Sequence, residues 1–142
     1  DSVEFMSYID SCNLVQVERL IGKYGWMGKS MAGARGNTAL FLVIQHAGLA
    51  TQEKYLPLLQ QSVAEGESRP ADLALLTDRV LMRKGEKQLY GSQIVFNKST
   101  GAQEIYPVED EKNVDVRRKQ MGLEPMKSYA KHFGIEYTLP GH

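Results

Sequence analysis

The chain has 142 residues, 42% of them hydrophobic and 24% charged, which is typical of a globular protein. Basic and acidic residues number 17 each, and this balance argues against a nucleic-acid partner, the only basic run being residues 117–119. The single cysteine, Cys12, excludes an internal disulfide and a cysteine-rich zinc site. We therefore expect neither a structural metal nor an organic cofactor.

No apolar stretch approaches the length of a membrane span, so we expect a soluble protein without a membrane contact. Both the cytoplasm and the periplasm suit such a chain. The sequence opens on Asp1 rather than Met, and we expect that residues upstream of it were removed. The length predicts one domain over residues 1–142, with an N-terminal helical segment in residues 1–12 and a tail at residues 135–142.

Two helices are predicted before the first aromatic cluster. The first falls within residues 1–12 and has an uncertain start. Asn13 caps the second, whose apolar residues recur at helical spacing until Gly22 and Gly25 end it.

The next helix is predicted over residues 30–47, with Ser30 as its N-cap and Gly48 as a left-handed stop. A competing interpretation starts this helix at Asn37 and leaves residues 33–36 as loop. Near its end, His46 follows Leu42 by one turn, and its ring is predicted to point into the core or to its edge.

A further helix over residues 51–65 directs Tyr55 or Leu56, then Leu59 and Val63, inward, with a kink at Pro57. The helix that follows begins near Pro70 and ends at Gly85. It is apolar on almost every face except at Thr77, Asp78 and Arg79, which predicts a buried helix whose charges have partners.

From Lys87 the pattern alternates, and it predicts a β-hairpin with one strand from Gln88 onward, a turn near Gly101 and a second strand closed by Pro107. A bulge at Gly91 would bring Tyr90 and Gln93 to the same side of that strand. Two short helices follow in the prediction, one capped by Asp110 or Asn113 and one opened by Pro125. The predicted fold class is mainly α (α+β), with five or six helices and one small antiparallel hairpin.

The candidate site is a set of polar residues on apolar elements. We assign catalytic roles to His46, Asp78 and Tyr90, and ligand-binding roles to Gln45, Arg79, Gln88 and Gln93, with no metal ligand. In this hypothesis Asp78 orients His46, which acts as base or acid, and Arg79 holds an anionic or carbonyl group. The alternative is that the same polar groups form a buried structural network.

Several motifs resemble a bacterial domain family of unknown function. They are KYGWM, VIQHAG, LTDRVLMRKG, QLYGSQ and the series PVED, VDVRR and MGL, in residues 13–129. The resemblance implies that the following residues belong to the family's signature: Gln45, His46, Asp78, Arg79, Tyr90, Gly91 and Gln93. Ser92 and Met27 stand where the family's pattern has Thr and Pro.

Two functions follow as hypotheses. The first is a small-molecule site, binding or enzymatic, in a cleft formed by the His46 helix, the Asp78 helix and the strand from Gln88 to Gln93. The second is a protein-interaction or immunity module in which these polar residues are structural. The sequence leaves the oligomeric state open.

Overall fold

The structure is a computed structural model that describes residues 2–141, with the side chains of residues 13–141. The chain divides into two compact units, Asp1–Arg69 and Pro70–His142. One domain can contain two such units, so the single-domain prediction stays a prediction. The side chain of Cys12 lies outside the described residues.

Three helices form the N-terminal unit. They are α1 (Ser2–Tyr24), α2 (Lys29–Gln45) and α3 (Leu49–Ala64). The prediction of two helices before Tyr24 was wrong, because Asn13 lies inside the continuous α1 and does not cap a helix. Neighbours along the chain pack together, α1 on α2 and α2 on α3. The core residues are Ile21, Leu40, Phe41, Ile44, Ala47, Tyr55 and Leu59.

The start of α2 differs from both interpretations of the sequence. Its N-cap is Gly28, and Gly33 breaks the helical backbone with φ 75° and ψ 166°. Ser30 does not cap the helix through its side chain. Its hydroxyl donates to Glu67 Oε1 at 2.7 Å, and its backbone N–H donates to Oε2 at 2.8 Å. Gly48 was predicted to be left-handed, but its φ of −71° makes it the extended N-cap of α3.

Buried amides hold the ends of these helices. Asn37 donates to the Met27 carbonyl and to Ser68 Oγ, which lies 2.6 Å from Ser62 Oγ. Gln52 donates to the last carbonyl of α2, on Gln45, at 2.8 Å. These bonds satisfy backbone groups that have no partner inside a helix.

The C-terminal unit contains three helices, a hairpin and a 3-10 turn. The elements are α4 (Pro70–Arg83), β1 (Ile94–Asn97), β2 (Ala102–Ile105), the 3-10 turn (Glu111–Asn113), α5 (Val114–Gln120) and α6 (Met126–Lys131). The strands are antiparallel, with Ile94 opposite Ile105 and Asn97 opposite Ala102. The predicted mainly α fold with one small antiparallel hairpin is confirmed.

The predicted strand is shorter than expected at its start. Residues 88–93 form a loop, in which only Gln88 makes an isolated parallel bridge, to Val108. Below the hairpin, Val108, Val114 and Met126 form a buried apolar cluster, and Tyr137 and Leu139 of the tail pack against it. The tail therefore covers part of the core. Within residues 2–141, no helix is long and apolar enough to cross a membrane.

The close approach at Gly28 generates a stability prediction. A Cβ on Gly28 would lie 2.5 Å from the Glu67 Cβ, whereas a Cβ on Gly48 would meet nothing within 4 Å. Both glycines are extended N-caps with φ near −70°. Gly28→Ala should therefore lower the free energy of unfolding by about 1–3 kcal/mol more than Gly48→Ala, measured by urea denaturation. Equal losses would contradict the close contact with Glu67.

Candidate functional site

Asp78 lies at the centre of the polar cluster in the C-terminal unit. Its side chain is fully buried on α4, as predicted, and its carboxylate accepts four hydrogen bonds. Oδ1 accepts from the backbone N–H groups of Leu89 and Tyr90, at 2.8 and 3.0 Å. Oδ2 accepts from the N–H and the hydroxyl of Ser92, at 3.0 and 2.7 Å. The carboxylate thus fixes one side of the 88–93 loop.

Gln88 fixes the two ends of the same loop to each other. Its fully buried amide donates to the carbonyls of Gln93 and Tyr106, at 3.1 and 2.7 Å, and accepts from the Gln93 N–H at 2.8 Å. Its backbone bonds Pro107 and Glu109. The amide therefore serves the backbone, and the ligand-binding role assigned to Gln88 stays a prediction.

Three side chains from α5 and α6 bind the loop carbonyls. Arg117 Nε donates to Leu89 O at 2.7 Å, and its two Nη atoms donate to the carbonyls of Asp110 and Glu109. Arg118 Nη1 donates to Tyr90 O at 2.6 Å, and the Tyr129 hydroxyl donates to Ser92 O at 2.6 Å.

Arg118 is the largest buried polar side chain in this group, with 1% of its surface exposed. Its guanidinium lies 4.7 Å from the centre of the Tyr129 ring, and its Nε donates to the Glu124 carbonyl. Burial lowers the pKa of Arg118 and raises that of the Tyr129 phenol, and the arginine charge offsets part of the latter effect. A cation over an aromatic face, with carbonyl acceptors, compensates the cost of burial.

The roles of these arginines were not predicted from the sequence, in which residues 117–119 form a basic run. Arg118 follows the buried Val114 by one turn, so both lie on the same face of α5. The four-residue spacing from Val114 could have indicated that Arg118 is buried. A charged side chain on an apolar helix face is unusual, because burying a charge costs free energy.

Gly91 allows the loop to turn against α6. Its φ is 69°, and a Cβ there would lie 2.5 Å from Met126 Sδ. The expected bulge in a strand is replaced by a left-handed residue in a loop. Gln93 is nevertheless buried, with 4% of its surface exposed.

Arg79 and Gln93 are brought into contact. Arg79 Nε donates to Gln93 Oε1 at 3.1 Å, and Gln93 Nε2 donates to Ser92 Oγ at 3.1 Å. Since the Ser92 hydroxyl donates to Asp78, a continuous chain of hydrogen bonds runs from Arg79 to the Asp78 carboxylate. Burial and the neighbouring positive charge of Arg83 lower the pKa of Arg79.

Tyr90 has a fixed backbone and a half-buried side chain. Burial, and secondly the charge of Asp78, raise the pKa of its phenol. The phenol therefore keeps its proton at neutral pH, which makes it a hydrogen-bond donor rather than a base.

His46 and Gln45 belong to the N-terminal unit. His46 is exposed, which corrects the expectation that its ring points into the core or to its edge, and its Nδ1 lies 2.9 Å from Leu42 O. The reason is that the core face of α2 is formed by Leu40, Phe41 and Ile44, while Leu42 is itself exposed. Gln45 is buried at the end of α2.

The predicted pair of His46 and Asp78 combines residues of different units. Each has hydrogen-bond partners within its own unit, and Asp78 uses about the full acceptor capacity of a carboxylate there. The catalytic roles of His46, Asp78 and Tyr90 stay predictions. Among the side chains of residues 13–141, no group of three or more His, Cys, Asp or Glu is placed to hold a metal ion.

Replacing Asp78 should destabilise the protein strongly. Asp78→Ala leaves three buried or part-buried N–H groups and one hydroxyl without their acceptor, and should cost about 3 kcal/mol or more of unfolding free energy. Glu86→Ala, which removes an exposed carboxylate just before the loop, is the control and should change stability by about 0.5 kcal/mol at most. Similar values for the two variants in urea denaturation would show that Asp78 is solvated.

A second pair of variants tests the loop turn. Gly91→Ala combines a left-handed alanine, about 1–2 kcal/mol, with a clash against the buried Met126, about 1–3 kcal/mol. Gly85→Ala carries only the first cost, because its φ is 78° and a Cβ there meets nothing within 4 Å. The larger loss for Gly91→Ala, again by urea denaturation, is the expected result.

Comparison with known proteins gave one match. A model of a family of unknown function, DUF6624, matches residues 1–140. Neither the curated proteins nor the solved structures gave a significant match. The match confirms the prediction of a family of unknown function and covers almost the whole sequence. The chain therefore belongs to the DUF6624 family, a family of unknown function.

Proposed function

We propose that the C-terminal unit binds a small molecule with a negatively charged or carbonyl group, which Arg79 holds beside Gln93 and Tyr90. The observation that carries the proposal is the bond between Arg79 Nε and Gln93 Oε1. This bond ties a half-buried cation to a loop whose backbone is fixed on both sides.

The electrostatics around Arg79 favour an anion. Arg83 follows Arg79 by one turn of α4, and its positive charge lowers the pKa of Arg79. Two like charges at this spacing on a helix repel each other. A bound carboxylate or phosphate would offset this repulsion and accept hydrogen bonds in the geometry that a guanidinium prefers.

The rigidity of the 88–93 loop supports binding rather than packing alone. Side chains form hydrogen bonds with both the N–H and the carbonyl groups of its backbone at Leu89, Tyr90 and Ser92. A loop held in this way loses little conformational entropy when a ligand binds. Irregular segments on a fixed scaffold commonly carry binding residues.

Tyr90 supplies a second donor. Its protonated phenol suits a carbonyl or carboxylate oxygen of the ligand. The catalytic roles of His46 and Asp78, and the ligand contacts of Gln45 and Gln88, stay predictions. The binding proposal uses neither Gln45 nor His46, and Asp78 and Gln88 contribute to it by fixing the loop backbone.

The experiment is a thermal-shift screen with a library of phosphates, carboxylates and carbonyl compounds. A ligand that stabilises the wild type should bind Arg79→Gln at least about tenfold more weakly, because a charge-assisted hydrogen bond is lost. Arg79→Lys keeps the charge but not the bond to Gln93, and should fall between the two.

The matched control is Arg35→Gln, which removes an exposed arginine in the N-terminal unit and should leave binding unchanged. Tyr90→Phe serves as a second variant, since it removes a hydroxyl without breaking a hydrogen bond to any other described residue. Ligand binding that is equal in wild type, Arg79→Gln and Tyr90→Phe would contradict the proposal. A screen without any ligand that depends on Arg79 would favour the protein-interaction alternative.

A further inference from the structure

A pocket lies in the C-terminal unit between α5, the start of α6 and the tail. Its volume is about 320 Å³, at the lower end of the range for small-molecule sites. The lining residues are Asp115, Pro125, Lys127, Tyr137, Thr138 and Leu139. None of them is part of the Arg79 site, so this pocket is independent of the proposed function.

Asp115 supplies a fixed negative charge to the pocket. Its Oδ1 accepts the backbone N–H of Met126 at 2.8 Å, which sets the orientation of the carboxylate. Its other oxygen accepts no hydrogen bond from the residues that the structure describes. A half-buried carboxylate with one oxygen in use and one remaining is suited to an ammonium group.

Tyr137 forms an aromatic wall next to this carboxylate. Its hydroxyl donates to Glu111 Oε1 at 3.0 Å, so the ring is held in place. Burial, then the hydrogen bond to Glu111 and the charges of Glu111 and Asp115, raise the pKa of the phenol, which stays neutral. A neutral ring beside two carboxylates favours a cationic group.

The remaining walls differ in character. Lys127 is exposed on α6 and adds a positive charge to the lining, while Pro125 and Leu139 add apolar surface. A pocket with one negative side, one positive side and apolar walls matches a molecule that carries a positive group, a negative group and an apolar group. The volume of about 320 Å³ accommodates a molecule of about the size of a single amino acid.

We propose that this pocket binds a small zwitterion of the α-amino-acid class with an apolar side chain. Its ammonium group pairs with Asp115, its carboxylate pairs with Lys127, and its side chain packs against Tyr137, Pro125 and Leu139. Because residues 137–139 form one wall, the bound ligand also holds the tail against α6.

The test is a titration of the ¹⁵N-labelled chain with L-phenylalanine, followed by NMR. Two matched probes lack one charge each: phenethylamine has no carboxylate, and 3-phenylpropionate has no ammonium group. L-phenylalanine should shift the amide signals of residues 126–127 and 137–139, and each probe should bind about tenfold more weakly. The absence of shifts at these amides up to about 10 mM L-phenylalanine would overturn the proposal.

Two variants locate the charges. Asp115→Asn keeps an oxygen for the Met126 N–H but removes the negative charge, and Lys127→Gln removes the positive charge from an exposed position. Each should weaken L-phenylalanine binding about tenfold, while Lys131→Gln, on an exposed residue of the same helix, should not. Because Lys127 is exposed, a loss of binding in Lys127→Gln would not be due to misfolding. Unchanged binding in this variant would overturn the assignment of the ligand carboxylate to Lys127.

Discussion

The C-terminal unit depends on one buried carboxylate. Asp78 has no exposed surface, and a charge in that position is costly unless hydrogen bonds replace the lost water. Four donors from residues 89–92 do so, and because three of them are backbone N–H groups, the path of the chain after α4 is set by this residue. The arrangement resembles the capping of a helix, where a side-chain oxygen serves N–H groups that have no backbone partner, but here the segment served is a loop. The stability of α4 and the shape of the loop are therefore coupled.

The carbonyl groups of the loop also need hydrogen-bond partners where they are buried. Backbone carbonyls near a buried carboxylate also need donors, and Arg117, Arg118 and Tyr129 supply them from α5 and α6. The positive charge of Arg118 also lies close enough to interact with the charge of Asp78. A loop between an acidic group on one side and cationic donors on the other is fixed without forming a strand. This explains why an alternating sequence pattern at Gln88–Gln93 does not lead to a ladder.

The sequence predicted the main features of the fold but not this arrangement. The mainly helical fold, the glycine at the hairpin turn and the burial of Asp78 follow from local patterns, and each is confirmed. The two helices predicted before Tyr24 are instead one continuous helix. The loop was predicted as a strand because alternation reports which side chains face inward and not whether the backbone bonds another strand. His46 was predicted near the core because one turn of a helix was counted from Leu42, which is exposed in the structure. The roles of Arg117 and Arg118 depend on contacts 28 residues away along the chain, which no local pattern contains.

The same contacts separate two kinds of polar residue in the cluster. Asp78, Gln88 and Arg118 are fully or almost fully buried. Their polar groups bond mainly to the backbone, so these groups stabilise the fold. Arg79 and Tyr90 are only half-buried, yet the first is tied to Gln93 and the second has its backbone held by Asp78 and Arg118. Side chains that remain accessible on a fixed backbone are in a position to select a ligand by geometry, because little has to move when it binds. The buried residues therefore contribute to the candidate site by holding Arg79 and Tyr90 in place.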